Sequence, residues 1–152
     1  MALNFIADVM LGKLARWPRI LGYPTEYSKT EDDDQLIRLA MQKNAILLTR
    51  DERLAEKAQA YCKIKLLKAN ALQGQLRELL QLIRIPKRLA QKICAACNGP
   101  VKRVKTESVK NLVWPRVYKS QKRFWQCAKC GQVYWKGSHA REIGKTLQKL
   151  AD

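Results

Sequence analysis

The stretch Asn4-Phe5-Ile6-Ala7-Asp8-Val9-Met10-Leu11-Gly12 decides how this chain is read. Phe5, Ile6 and Ala7 form a short apolar run that suits a buried strand. The run ends on a lone acid, Asp8. A helical pattern follows at once, with Met10, Leu11, Leu14, Ile20 and Leu21 as its apolar positions. In an open α/β sheet, ligands bind outside the carboxyl ends of the strands, and Asp8 stands at such an end. Asp is also one of the commonest helix N-caps. From this stretch alone, Asp8 is either a cap or part of a site.

The pattern repeats outward from there. Pro18 falls inside the first helix and predicts a kink or an early end, with Gly22 as a stop signal. Thr25-Glu26-Tyr27 reads as a second strand, and residues 33–43 as a helix with Leu36, Ile37, Ala40 and Met41 on one face. Asp32, Asp33 and Asp34 favour the positive N-terminal end of that helix. Residues 45–49 form a continuous apolar strand, suited to a sheet covered on both faces. Asp51 opens a helix to about residue 60, residues 62–67 read as a fourth strand, and residues 70–84 as a further helix. Strands alternating with helices predict a parallel, doubly wound sheet. Ile85-Pro86-Lys87-Arg88 breaks the alternation and marks the domain boundary, giving 1–88 and 89–152. Beyond it, Val101, Val104, Val109, Val113, Val117 and Tyr118 suggest short antiparallel strands. Residues 143–150 suit a short helix.

The net charge is +17 and uneven. Residues 1–90 hold 16 Lys and Arg against 10 Asp and Glu, whereas residues 91–152 hold 14 against 3. Such a field favours a polyanion, with nucleic acid first and an anionic membrane surface second. No apolar run approaches the roughly 20 residues of a membrane span, and no signal-like segment opens the chain. The expectation is a cytoplasmic protein that does not enter membranes.

Five cysteines are present, and four form two C-x-x-C pairs: Cys94 with Cys97, and Cys127 with Cys130. Each pair is followed by a turn residue, as in a zinc knuckle. Four thiolates make a closed tetrahedral site for one structural Zn²⁺. The 29-residue gap between the pairs suits a hairpin ribbon. A redox C-x-x-C is the alternative, disfavoured by the second pair. Cys62 belongs to neither and reads as a buried core thiol.

The acids Asp8, Asp33, Asp34 and Asp51 fall at comparable points of the alternation, after predicted strands. Strand ends on one edge of a parallel sheet converge. Carboxylates brought together repel unless cations neutralise them, and hard oxygen ligands select Mg²⁺ or Mn²⁺. Three independent helix caps remain the alternative. In the basic half, aromatics interleave with cations: Lys122, Arg123, Trp125, Trp135, Lys136, His139 and Arg141 among them. Rings stack on bases while Lys and Arg neutralise phosphates. Equally, Trp125 and Trp135 suit the small core of a ribbon. His139 suits a general acid or base, a phosphate contact or a hydrogen-bonded ring.

At this point the residues resemble a known family. Asp8-x-Met10-Leu11-Gly12-Lys13-Leu14-Ala15-Arg16-Trp17, then Leu21-Gly22-Tyr23, is similar to the opening of the Mut-seven C-terminal RNase family. Ile46-Leu47-Leu48-Thr49-Arg50-Asp51 is similar as well. So are Cys94-x-x-Cys97-Asn98-Gly99 and Cys127-x-x-Cys130-Gly131-Gln132-Val133-Tyr134-Trp135-Lys136-Gly137-Ser138-His139. The resemblance covers nearly the whole chain. It implies a PIN-like nuclease fold carrying a zinc ribbon, with Asp8, Asp33 or Asp34, and Asp51 as the metal-binding acids. Gln35 stands where the family often has Glu. Asn70 is the nearest residue to the fourth acid usual in PIN nucleases.

The expectation is therefore an α/β protein: a PIN-like, mainly parallel sheet followed by an antiparallel zinc ribbon. Its expected activity is Mg²⁺- or Mn²⁺-dependent hydrolysis of RNA leaving a 5′-phosphate and a 3′-hydroxyl. Lys13, Arg16 and Arg50 would hold backbone phosphates near the acids, and the ribbon would capture RNA. The alternative is a non-catalytic RNA-binding or ribonucleoprotein-associated module of the same fold.

Overall fold

A computed structural model describes residues 3–30, 32–89 and 91–152. The first sheet has four parallel strands in the order β2-β1-β3-β4: β1 (Phe5–Ala7), β2 (Thr25–Tyr27), β3 (Ile46–Thr49) and β4 (Ile64–Leu66). Between and after them run α1 (Gly12–Ile20), α2 (Asp33–Lys43), α3 (Glu52–Ala58) and α4 (Leu72–Leu79). The alternating apolar residues of the central strands divide between two faces. Phe5, Ala7 and Leu48 pack with Leu14, Leu76 and Leu79 from α1 and α4. Ile6 and Leu47 pack on the other face with Leu36, Ile37 and Ala40 of α2 and with Leu54 and Ala58 of α3. This is the doubly wound arrangement expected from the alternation. The chain turns in opposite directions from β1 and β3, so the switch point lies between them.

Several boundaries differ from the expected ones. A 3₁₀ turn at Val9–Leu11 precedes α1, so the helix proper starts at Gly12. Pro18 is tolerated inside α1, which ends two residues later, before Gly22 at φ +90°. Strand β4 and helix α4 are both shorter than their apolar patterns.

The second half forms an antiparallel three-stranded sheet: β5 (Val101–Val104), β6 (Phe124–Cys127) and β7 (Val133–Tyr134), in that order. Val109 lies in a 3₁₀ turn, and Val117 and Tyr118 lie in α5 (Pro115–Ser120), contrary to the strands expected there. Val109 and Val117 serve a small core instead. Val109, Phe124 and Val133 are buried, and Val113, Val117 and Trp135 pack against them. The C-terminal helix is longer than expected: α6 spans Ser138–Ala151. Leu147 and Leu150 of α6 belong to the core of the first sheet, beside α4. Among the described residues, no helix is long and apolar enough to cross a membrane.

The two sheets are tied through the edge strand β2. Its Thr25 N–H donates to Asn98 Oδ1 at 2.8 Å. Arg19, buried at the end of α1, donates from Nε to the Thr25 carbonyl at 2.8 Å and from a terminal nitrogen to the Ala95 carbonyl at 3.0 Å. The first cysteine turn thereby covers polar groups at the start of a sheet edge that would otherwise stand open.

Candidate functional site

At the switch point, Asp8 and Asp51 follow β1 and β3 on the same edge of the sheet. Asp8 is only 4% exposed. Its Oδ1 accepts from the Met10 backbone N–H at 3.0 Å, capping the 3₁₀ turn. Its Oδ2 accepts from the buried Thr49 hydroxyl. The same Thr49 oxygen accepts from the Asp51 backbone N–H at 3.0 Å. Asp51 Oδ1 accepts from the backbone N–H groups of Arg53 and Leu54 and so caps α3. Both acids are therefore caps, and both are held on one network by Thr49. Burial pushes the Asp8 carboxyl above the usual carboxylate value; the nearby Asp51 charge adds to this, while the Thr49 and Met10 hydrogen bonds and Arg50 oppose it.

Tyr27 braces this corner. Its hydroxyl donates to the Val9 carbonyl at 2.7 Å, and its ring lies where a Cβ on Gly12 would come within 3.3 Å. Glycine at position 12 lets the ring close over the start of α1.

The other expected acids are placed differently. Asp32, not Asp33 or Asp34, caps α2, accepting from the N–H groups of Asp34 and Gln35. Asp34 is exposed and pairs with Lys57 of α3 at 2.8 Å; that hydrogen bond holds its carboxyl below the usual range. Asp33 lies in the first turn of α2. Among the described residues, the acids do not come together as a group of three or more potential metal ligands. Asn70 accepts a hydrogen bond from the Arg50 guanidinium. The Arg50 Nε is buried without a partner.

The four cysteines do converge. Their Sγ atoms lie within 4.8 Å of one another, with Cys94 to Cys130 at 3.6 Å and Cys97 to Cys127 at 3.4 Å. Tetrahedral Zn–S bonds of ~2.3 Å place sulfurs about 3.8 Å apart, so the donor set fits one Zn²⁺. Backbone N–H groups support the sulfurs: Gly99 donates to Cys97, and Lys129 to Cys127. At Cys127, burial opposes the thiolate, but the N–H groups of Cys130 and Lys129 together with the neighbouring Cys97 and Cys130 thiols outweigh it and lower the pKa to about 6. Gly99 is required by close approach, since a Cβ there would sit 2.9 Å from Cys127 Sγ. The Tyr134 hydroxyl lies 3.0 Å from Cys94 Sγ and accepts from the Ala95 N–H at 3.1 Å. The buried Arg19 guanidinium stands near Cys94 and Cys97, where it offsets thiolate charge.

The remaining expected contacts are spread over the surface. Lys13 and Arg16 are exposed on α1, Lys122 and Arg123 precede β6, and Lys136, His139 and Arg141 lie at or just before the start of α6. Trp135 packs edge-on against Phe124 in the ribbon core, with ring centroids 6.3 Å apart. Cys62 is half-buried against the second core and donates its thiol to the Ala58 carbonyl. Arg19 and Asn98 carry the junction between the sheets. Asn98 had a local signal, the Asn-Gly pair directly after Cys97, and it lies at φ +68° in that turn. Arg19 had none.

No curated protein and no solved structure matches the chain significantly. The model of the Mut7-C RNAse domain family matches residues 3–147 of the 152. With a match over nearly its whole length, joined to a doubly wound sheet and a four-cysteine ribbon, the chain belongs to the Mut7-C RNAse domain family.

Proposed function

We propose that this protein is a divalent-metal-dependent ribonuclease whose centre is Asp8 and Asp51. The observation that carries the reading is their linkage through Thr49 at the switch point of the sheet. A buried carboxylate placed near a second one is a poor structural cap but a suitable ligand for a hard cation. The donor set of two carboxylates fits Mg²⁺ or Mn²⁺, with Asp33 or Asp34 as the acid that would join from α2; for Asp34 that means leaving its pair with Lys57. Such an ion would supply Lewis-acid stabilisation of the phosphodiester and a more acidic water. Thr49 fixes the orientation of Asp8 and the start of α3. Arg50 stands near Asp8 with its guanidinium donating to Asn70, and its terminal nitrogens would offer a phosphate oxygen a charged contact. Lys13, Arg16 and the basic ribbon attract the RNA backbone. The expected products carry a 5′-phosphate and a 3′-hydroxyl.

A second reading also has an observation behind it. Both central acids act as caps and Asp34 is paired with Lys57, as a non-catalytic RNA-binding module would allow. Asp8→Asn combined with Asp51→Asn separates the two. Loss of Mn²⁺-dependent RNA cleavage with RNA binding retained supports the enzyme. Wild-type protein that binds RNA yet cleaves neither single-stranded nor structured RNA in Mg²⁺ or Mn²⁺ selects the binding module.

A further inference from the structure

The ribbon sheet has a second face that its own core does not use. Phe124 and Val133 point into that core. Register places Arg103, Trp125 and Tyr134 directly opposite one another across β5, β6 and β7, on the other face. That row lines a cavity of about 300 Å³ closed by Ile20 of α1 and by Ala140 and Ile143 of α6. Lys92 and Lys136 stand at its wall, and no Asp or Glu is among its described lining residues. The Lys136 ammonium sits 5.8 Å from the centre of the Trp125 ring, so that ring face already attracts a cation. Helix α6 begins at this wall, and its Gly137 N-cap offers no side-chain acceptor for the first N–H groups.

From this juxtaposition we infer that the cavity between the ribbon sheet, α1 and α6 is a docking site for one unstacked base of single-stranded RNA. The volume lies at the lower end of small-ligand pockets and is lined by apolar and aromatic groups with few polar ones. Trp125 supplies the stacking platform. Arg103, Lys92 and Lys136 take the flanking phosphates, with Lys136 leaving the ring as the base arrives. Tyr134 is held in the row by its hydroxyl, which is fixed at Cys94 and Ala95, so the first cysteine turn positions one wall of the cavity through that ring. The proposal rests on RNA being the polymer this family member acts upon. It adds a fixed register: α1 begins beside the Asp8 turn and ends at the cavity wall. Its nine residues, at 1.5 Å each, span about 14 Å. A docked base would thus lie a few nucleotides from the phosphate at Asp8.

The test measures binding of a short fluorescent single-stranded RNA, without divalent ions, so that cleavage plays no part. Full-length wild type is compared with Trp125→Ala, Trp125→Phe and Arg103→Gln, each checked for zinc content and melting temperature. Trp125→Ala should weaken binding about 10- to 100-fold, while Trp125→Phe keeps most of it. Arg103→Gln should reduce the salt slope by about one. An abasic ribose-phosphate oligomer of equal length should bind wild type and Trp125→Ala alike. Equal binding of base-containing RNA by folded Trp125→Ala overturns the site and leaves a protein segment as the better occupant. An equal loss on the abasic oligomer also overturns it. Neither result bears on metal-dependent cleavage, which is read separately with Mn²⁺.

Discussion

Thr49 donates its hydroxyl to Asp8 across the junction of β1 and β3, and the same oxygen receives the Asp51 N–H. Residues 41 positions apart thus share one buried hydrogen bond at the edge where the sheet changes direction. Thr49→Val keeps the shape but removes the bridge. It leaves a carboxylate oxygen and an N–H without their partner, at a cost of about 1–3 kcal/mol by denaturant unfolding. It also removes a bond that lowers the Asp8 pKa, so the acid limb of the pH–rate profile should move to higher pH. Thr49→Ser should restore both; a profile unchanged in Thr49→Val would remove Asp8 from the chemistry.

Asp8→Asn separates capping from ligation. Asn caps about as well as Asp. The Asp8 pKa is raised in the folded state, so the native protein holds that proton more tightly than the unfolded chain. Its contribution therefore falls as pH rises from the ordinary value of 3.8 through the raised native one, and stays low above it. At neutral pH the Asn variant should be as stable as wild type or more so, while metal-dependent cleavage is lost. Urea unfolding from acid to neutral pH checks the sign. A neutral-pH loss of more than about 1 kcal/mol, a full cap's worth, would make the carboxylate structural.

Gly99→Ala should damage the cysteine site without touching a sulfur. The added methyl meets Cys127 Sγ and the Lys129 Cβ, each at 2.9 Å. Metal analysis should give one zinc per wild-type chain and less in the variant, with a lower melting temperature. Retained stoichiometric zinc and unchanged melting would mean that the turn relaxes freely.

Arg19→Met tests how the two sheets are joined. The substitution leaves the Thr25 and Ala95 carbonyls without their donor. Hydrogen bonds to a charged group are worth about 1.5–3 kcal/mol each, so a loss of about 3 kcal/mol is expected with zinc content retained. Arg19→Lys should rescue little, because one ammonium does not reproduce the two directions of the guanidinium fork. Hydrogen exchange should show β2 opening first.

The same junction explains how far local patterns reach. Alternating apolar strands and amphipathic helices are written in neighbouring residues, so β1 to β4 and their helices were legible. Two C-x-x-C pairs with following turn residues declare a four-thiolate ribbon by chemistry alone. Val109 and Val117 misled because a β-branched residue can equally fill a small core from a helical turn. The full length of α6 was hidden for a related reason. Its apolar stripe has meaning only against α4, where Leu147 and Leu150 find their core.

By itself the sequence determined the strand–helix order of the first half, the cysteine ribbon, the basic second half and the family. The tertiary structure decided the polar partnerships around the acids. It joined Asp8 to Asp51 through Thr49, drew Asp34 to Lys57, and gave Arg50 to Asn70. It also aligned Arg103, Trp125 and Tyr134 across three strands. The reason is physical: apolar periodicity is a local property, whereas partnership between side chains depends on strand register and on which polar neighbour is nearest once both are placed.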